Sequence, residues 1–115
     1  MRFCLRSCIQ RDTLRRMNTL LRTAEFDRWL KGVRDRLAQA RIAQRLDAAV
    51  IGHFGDCEPV GDGISEMRIH VGAGYRVYFT RRGAVVYLLI CGGDKASQKR
   101  DIKRAKKLLQ LLPKE

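Results

Sequence analysis

No apolar run in this sequence approaches the roughly 18 residues that a membrane-crossing helix requires. The longest, AVVYLLIC at residues 84–91, is short and rich in β-branched residues, which fits a buried strand. The first residues, MRFCLRSCIQRDTLRR, are basic but hold no continuous apolar segment, so a secretory signal is not expected. Cys4, Cys8, Cys57 and Cys91 form no CxxC pair, and His53 and His70 are the only histidines. These spacings do not suit a zinc site; no metal or cofactor is expected, and free thiols of a cytosolic protein are. GDG, GAG and GGDK all lack the spacing of a phosphate-binding loop. Repeats and low-complexity segments are absent. Acidic residues are scarce: 12 Asp and Glu stand against 24 Lys and Arg, a net charge of +12. Such an excess on a small domain points to a polyanionic partner, whether nucleic acid, an anionic membrane surface or an acidic protein. A basic surface kept for solubility is the plainer alternative.

What is present suits one α+β domain. The chain has 115 residues, 45% of them hydrophobic, enough for a single core. Residues 1–16 stand apart, with five Arg against one Asp and no clean period. They read as an extension upstream of a natural start at Met17, or as a loosely held arm, and residues 17–115 as the domain proper. MNTLLRT makes a plausible first strand. Thr23 is then a good helix N-cap, and Phe26, Trp29, Leu30 and Val33 fall on one helical face, a stripe better suited to core than to a cofactor. Asp35 can cap a second helix with Ala38, Ile42, Leu46, Ala49 and Val50 inward. The two helices predict an αα-hairpin packed on a flat partner. HFGDCEPVGDGISE reads as a loop. Strands are predicted at 66–71, 75–81 and 84–91, joined by GAG and RRG into an antiparallel meander. The last, lacking alternation, should be central. Ser97 can cap a closing helix whose apolar stripe is Ile102, Ala105, Leu108, Leu109 and Leu112. The predicted order is β-α-α-β-β-β-α.

A three-residue GAG turn would set Val71 opposite Tyr75, and so His70 opposite Arg76, Arg68 opposite Tyr78 and Met67 opposite Phe79. One face then gathers Met67, Ile69, Val71, Val77 and Phe79. The other gathers Arg68, His70, Arg76 and Tyr78, with no carboxylate expected among them. Arginines can hold a phosphate and stabilise charge developing on it. Histidine moves a proton near neutral pH, and tyrosine can stack on a base. Two cations without a carboxylate cluster suggest metal-free phosphodiester chemistry, in which a 2′-hydroxyl attacks the adjacent phosphorus. An ordinary solvated sheet face remains open on pattern alone.

The segments GISEMRIHVGAGYRVYF and VVYLLICGGDKASQKRDIKRAKKL closely resemble the phage-derived addiction-module killer proteins, HigB-like members of the RelE/ParE toxin superfamily. The resemblance runs from about Met17 to Leu109. It implies a RelE-like fold and the toxin of a type II toxin–antitoxin module: a metal-independent endoribonuclease cleaving mRNA, often on the ribosome, in the cytoplasm. It implies a small antitoxin partner, commonly a helix-turn-helix DNA-binding protein, and no membrane. Residue by residue, it implies that Arg76 contacts the scissile phosphate and that Arg68 and His70 supply the basic positions of the preceding strand. Lys95 matches a basic position after the last strand. Tyr78 and the basic residues of the closing helix, Lys99, Arg100, Lys103, Arg104 and Lys107, would contact RNA. The tyrosine that the RelE branch places near the C-terminus is missing; Gln98 stands in that region. The ParE branch poisons DNA gyrase by binding it, which keeps a non-enzymatic toxin open, beside a nucleic-acid-binding remnant.

Overall fold

The structure is a computed structural model and describes residues 17–113. The extension at residues 1–16, with Cys4 and Cys8, lies outside the described residues. Eight elements follow in order: β1 (Thr19–Arg22), α1 (Ala24–Gly32), α2 (Arg36–Val50), β2 (Cys57–Gly61), β3 (Ile64–Ile69), β4 (Tyr75–Arg81), β5 (Val86–Gly93) and α3 (Gln98–Leu111). The strands make one mixed sheet in the order β1-β5-β4-β3-β2. β1 lies parallel to β5, and the other four strands form an antiparallel meander. The α+β class, the two successive helices after β1, the interior place of the last long strand and the closing helix agree with expectation.

Local chemistry explains the helix starts. Thr23 Oγ1 accepts from the Phe26 N–H at 2.9 Å, and Asp35 Oδ1 accepts from the Ala38 N–H at 3.1 Å. Each such cap contributes about 1 kcal/mol. Thr23 also donates its hydroxyl to the Ile90 carbonyl at 2.6 Å, tying the start of α1 to β5 just beyond the end of β1. Ser97 departs from expectation. Its side chain does not cap α3; the hydroxyl donates to Asp101 instead.

One strand was not expected. CEPVG, read as loop, is β2, paired antiparallel with β3. It is an edge strand with a register shift between Pro59 and Gly61. Proline lacks the N–H of a central ladder and is tolerated at such an edge, so the breakers that suggested a loop mark a sheet border. The order is therefore β-α-α-β-β-β-β-α.

Two apolar layers flank the sheet. α1 and α2 contribute Phe26, Ile42, Leu46 and Ala49, which meet Met67, Ile69, Val77, Phe79 and Leu89. On the opposite face α3 contributes Ala105, with Ile102, Leu108 and Leu109 beside it, against Ile64, Tyr78, Leu88, Ile90 and Cys91. Ile90 and Cys91 are adjacent yet share a face. The reason is a bulge: Tyr78 pairs with Cys91 and Phe79 with Leu89, leaving Ile90 as the extra residue. The bulge turns Gly92 toward α1 and Gly93 toward α3. A Cβ at Gly92 would collide with the Trp29 indole, and one at Gly93 with the Asp101 carboxylate. The paired glycines of CGGDK thus let both helices close onto the end of one strand.

Candidate functional site

Even-numbered residues of β3 and β4 face α3. The observed register sets Arg68 opposite Arg76, Glu66 opposite Tyr78 and Met67 opposite Val77. It differs by two residues from the expected pairing, because His70 through Gly74 form a five-residue connection outside the strands. A shift of two keeps every side chain on its own face. The apolar set of β3 and β4 therefore survives, but the polar set changes.

Two arginines directly across a ladder repel. Glu66 resolves this. Arg68 Nε donates to Glu66 Oε1 at 3.0 Å. At Oε2, the Tyr78 hydroxyl donates at 3.0 Å, Gln98 Nε2 donates at 2.9 Å, and Arg76 Nε stands 3.6 Å away as an ion pair. Glu66 is 0% exposed, and a bare carboxylate there would be prohibitive. Burial alone would raise its pKa; the hydrogen bonds from Arg68, Gln98 and Tyr78, with the Arg76 charge, hold it below the ordinary carboxylate range. Arg68 continues outward to Glu58 Oε1 at 3.2 Å. Arg76 is different. Its side chain is 11% exposed, and Nε and Nη1 are buried with no hydrogen-bond partner among the described residues. Its neighbours hold the guanidinium in place but leave donors unused.

Three expectations for this face are corrected here. A carboxylate does interrupt it: Glu66 is its centre. The signal was in the sequence, since Glu66 alternates with Arg68, but the expected register set Glu66 opposite Thr80, away from Arg76. Tyr78 is wholly buried, and its hydroxyl is engaged by Glu66. Burial, followed by the Glu66 charge and hydrogen bond, pushes its pKa far up, so it is a fixed phenol in the core with no ring face open to a base. His70 does not sit across from Arg76. It follows β3 in the connection, 71% exposed, with Nε2 at 2.6 Å from Asp56 Oδ2. The His70 hydrogen bond is the largest influence lowering the Asp56 pKa, against a smaller opposing effect of burial. Arg45 of α2 braces this corner by donating to the carbonyls of Phe54 at 2.9 Å and Asp56 at 3.3 Å, and to that of Arg68. Sequence reasoning missed Asp56, Glu66, Gln98 and Arg45 as a connected set, because their partners lie on four different elements and loops.

The remaining residues converge on one end of the sheet. The ends of β3 and β5, the start of β4 and the start of α3 all meet there. Lys95 follows β5, exposed, and its backbone N–H donates to the Ala73 carbonyl of the connection that begins with His70. Lys99, Arg100, Lys103, Arg104 and Lys107 are exposed on α3, and Arg104 is held by Glu25 of α1. The N-terminus of α3 adds its partial positive charge to this end. The structure thus groups Arg68, Arg76, His70, Lys95, Lys99 and Arg100 around one rim, while Lys103 and Lys107 continue along the helix away from it. Among the described residues, no group of three or more His, Cys, Asp and Glu is arranged to hold a metal ion, and no helix is long and apolar enough to cross a membrane.

Comparison with known proteins finds a relative in Haemophilus influenzae, an uncharacterized protein that is 47% identical over 90 residues, covering 78% of this chain and 91% of the relative. No family model and no solved structure matches the chain.

Proposed function

The chain belongs to one family with this Haemophilus influenzae protein, and we propose that it is the toxin of a type II toxin–antitoxin module, a HigB-like member of the RelE/ParE superfamily that cleaves mRNA in the cytoplasm without a metal ion. The observation that carries the reading is Arg76: a guanidinium beside a buried carboxylate, 11% exposed, whose buried Nε and Nη1 lack hydrogen-bond partners among the described residues, next to a second arginine at a strongly basic rim. Such a group fits a phosphate and the charge that grows on it during displacement.

In the proposed reaction the 2′-oxygen bonds to the adjacent phosphorus and the bond from phosphorus to the 5′-oxygen breaks. A cyclic phosphate and a free 5′-hydroxyl result. His70, donating from Nε2 to Asp56, keeps its Nδ1 lone pair to take the 2′-hydroxyl proton. Arg76, supported by Arg68, stabilises the phosphoryl oxygens, and the leaving 5′-oxygen takes a proton from water while Lys95 balances its developing charge. Lys99 and Arg100 hold the flanking backbone, with Lys103 and Lys107 extending that track toward ribosomal RNA. Gln98 anchors Glu66, so the proton-transfer role falls to His70. A small antitoxin, of helix-turn-helix type in this subgroup, would neutralise the protein.

One feature favours the gyrase-binding alternative: Glu66 and Tyr78 are committed to internal bonds, so half of the polar face serves the fold. Incubation with RNA and, separately, with DNA gyrase distinguishes the two. Cleavage products ending in a cyclic phosphate, lost in Arg76→Ala and His70→Ala variants that still fold, are expected. Undiminished growth arrest by both variants would sink the assignment.

A further inference from the structure

A cavity opens at the same end of the sheet as the basic rim but on its α1 side. It has a volume of about 350 Å³ and is walled by Arg28, Trp29, Arg34, Tyr75 and Asp94. That size is at the low end of small-ligand pockets, roughly 300–1,000 Å³. We infer that this cavity binds a nucleobase of single-stranded RNA, by stacking on Trp29 and Tyr75 and by hydrogen bonding to Asp94; the inference rests on the RNA-directed reading above.

The two aromatics are held firmly and only partly buried. Trp29 lies against Gly92, where no Cβ intervenes, and packs on Phe26 with ring centroids 5.7 Å apart. Tyr75 begins β4 immediately before Arg76. Because strand side chains alternate, Tyr75 opens toward α1 while Arg76 faces α3, so one residue step carries the chain from the cavity to the phosphate-binding face. Asp94 Oδ1 accepts from the Ser97 N–H at 3.1 Å. Its Oδ2 has no hydrogen-bond partner among the described residues. A free carboxylate oxygen accepts from the amino and imino groups of a base edge. Arg28, with a side chain 70% exposed and paired with Glu25 at 3.5 Å, and the exposed Arg34 flank the opening with charge suited to phosphates. Lys95, adjacent to Asp94, bridges the cavity to the rim. A nucleotide whose phosphate meets Arg76 could therefore turn a neighbouring base over the edge of the sheet into this cavity.

Trp29 is the sole tryptophan of the chain, so its emission reports directly on occupancy. The test compares an uncleavable 2′-O-methyl RNA oligomer with an abasic oligomer of equal length at low salt, for the wild type and for Tyr75→Leu. The base-bearing oligomer is expected to quench the indole and to bind about tenfold tighter, the size of one base stack. Tyr75→Leu, checked for an unchanged fold by circular dichroism, should bind both oligomers alike at the abasic affinity. Equal wild-type affinities with unchanged emission would overturn the base site and leave the RNA reading intact. Binding of neither oligomer would overturn both.

Discussion

Glu66→Gln is the most informative single change. Glu66 is fully buried and is the ion-pair partner of Arg76, whose side chain is 11% exposed. Glutamine keeps one carbonyl acceptor and nearly the same volume, but it removes the charge and turns an amide donor toward donors. Breaking a buried pair by removing one member costs about 3–5 kcal/mol. Arg68 keeps Glu58 and is 29% exposed, so little of the loss falls there. Arg76 is stranded. We expect a loss of about 3 kcal/mol, which for a domain of this size lowers the melting midpoint by more than about 10 °C. Urea unfolding followed by circular dichroism at pH 7 measures it. Adding Arg76→Met should restore stability, since the stranded cation is then gone. Because folding lowers the Glu66 pKa below its ordinary 4.5, this stabilisation is fully present above that value. It is lost as pH falls through the folded pKa, and Glu66→Gln should flatten stability over this acid range. A loss below about 1 kcal/mol, typical of any point substitution, with an unchanged acid profile, would show that the network does not organise this face.

Other expectations follow from the same geometry. His70→Gln should leave the melting midpoint unchanged, because the His70–Asp56 pair is exposed, yet reduce RNA cleavage by about 10²–10⁴-fold; intact cleavage would remove His70 from the proton-transfer role. Gly92→Ala should destabilise by about 1–3 kcal/mol through overpacking against the indole, and Trp29→Val should relieve it, as a melt of the double variant would reveal. Cys91 is 1% exposed, and burial, then the Asp101 charge, pushes its thiol up to about 12. Peptide mapping after alkylation at pH 8 should find Cys91 unmodified in the native protein and modified only in denaturant.

Much of this fold was legible in the sequence, for identifiable physical reasons. Helix caps are local: Thr23 and Asp35 bond to N–H groups three residues on, so their positions alone located two helix starts. Hydrophobic periodicity assigned Phe26, Ile42 and Leu46 inward, because a helix repeats its faces over short distances. The unbroken run ending in Cys91 identified the strand covered on both sides.

Other features belonged to the tertiary structure. The apolar alternation of β3 and β4 cannot separate registers that differ by two residues, since both keep the same faces; closing the connection at residues 70–74 decided between them. That choice moved His70 off the sheet toward Asp56 and set Arg68 across from Arg76. β2 is a strand only because β3 offers it an edge. The role of Glu66 depends on α3 lying over it, far along the chain at Gln98, and no local pattern encodes that contact. The sequence by itself therefore determined which side chains share a face, through short-range periodicity. Only the packing of distant elements decided which of those side chains are buried, which are paired, and that the buried Nε and Nη1 of Arg76 lack a hydrogen-bond partner among the described residues.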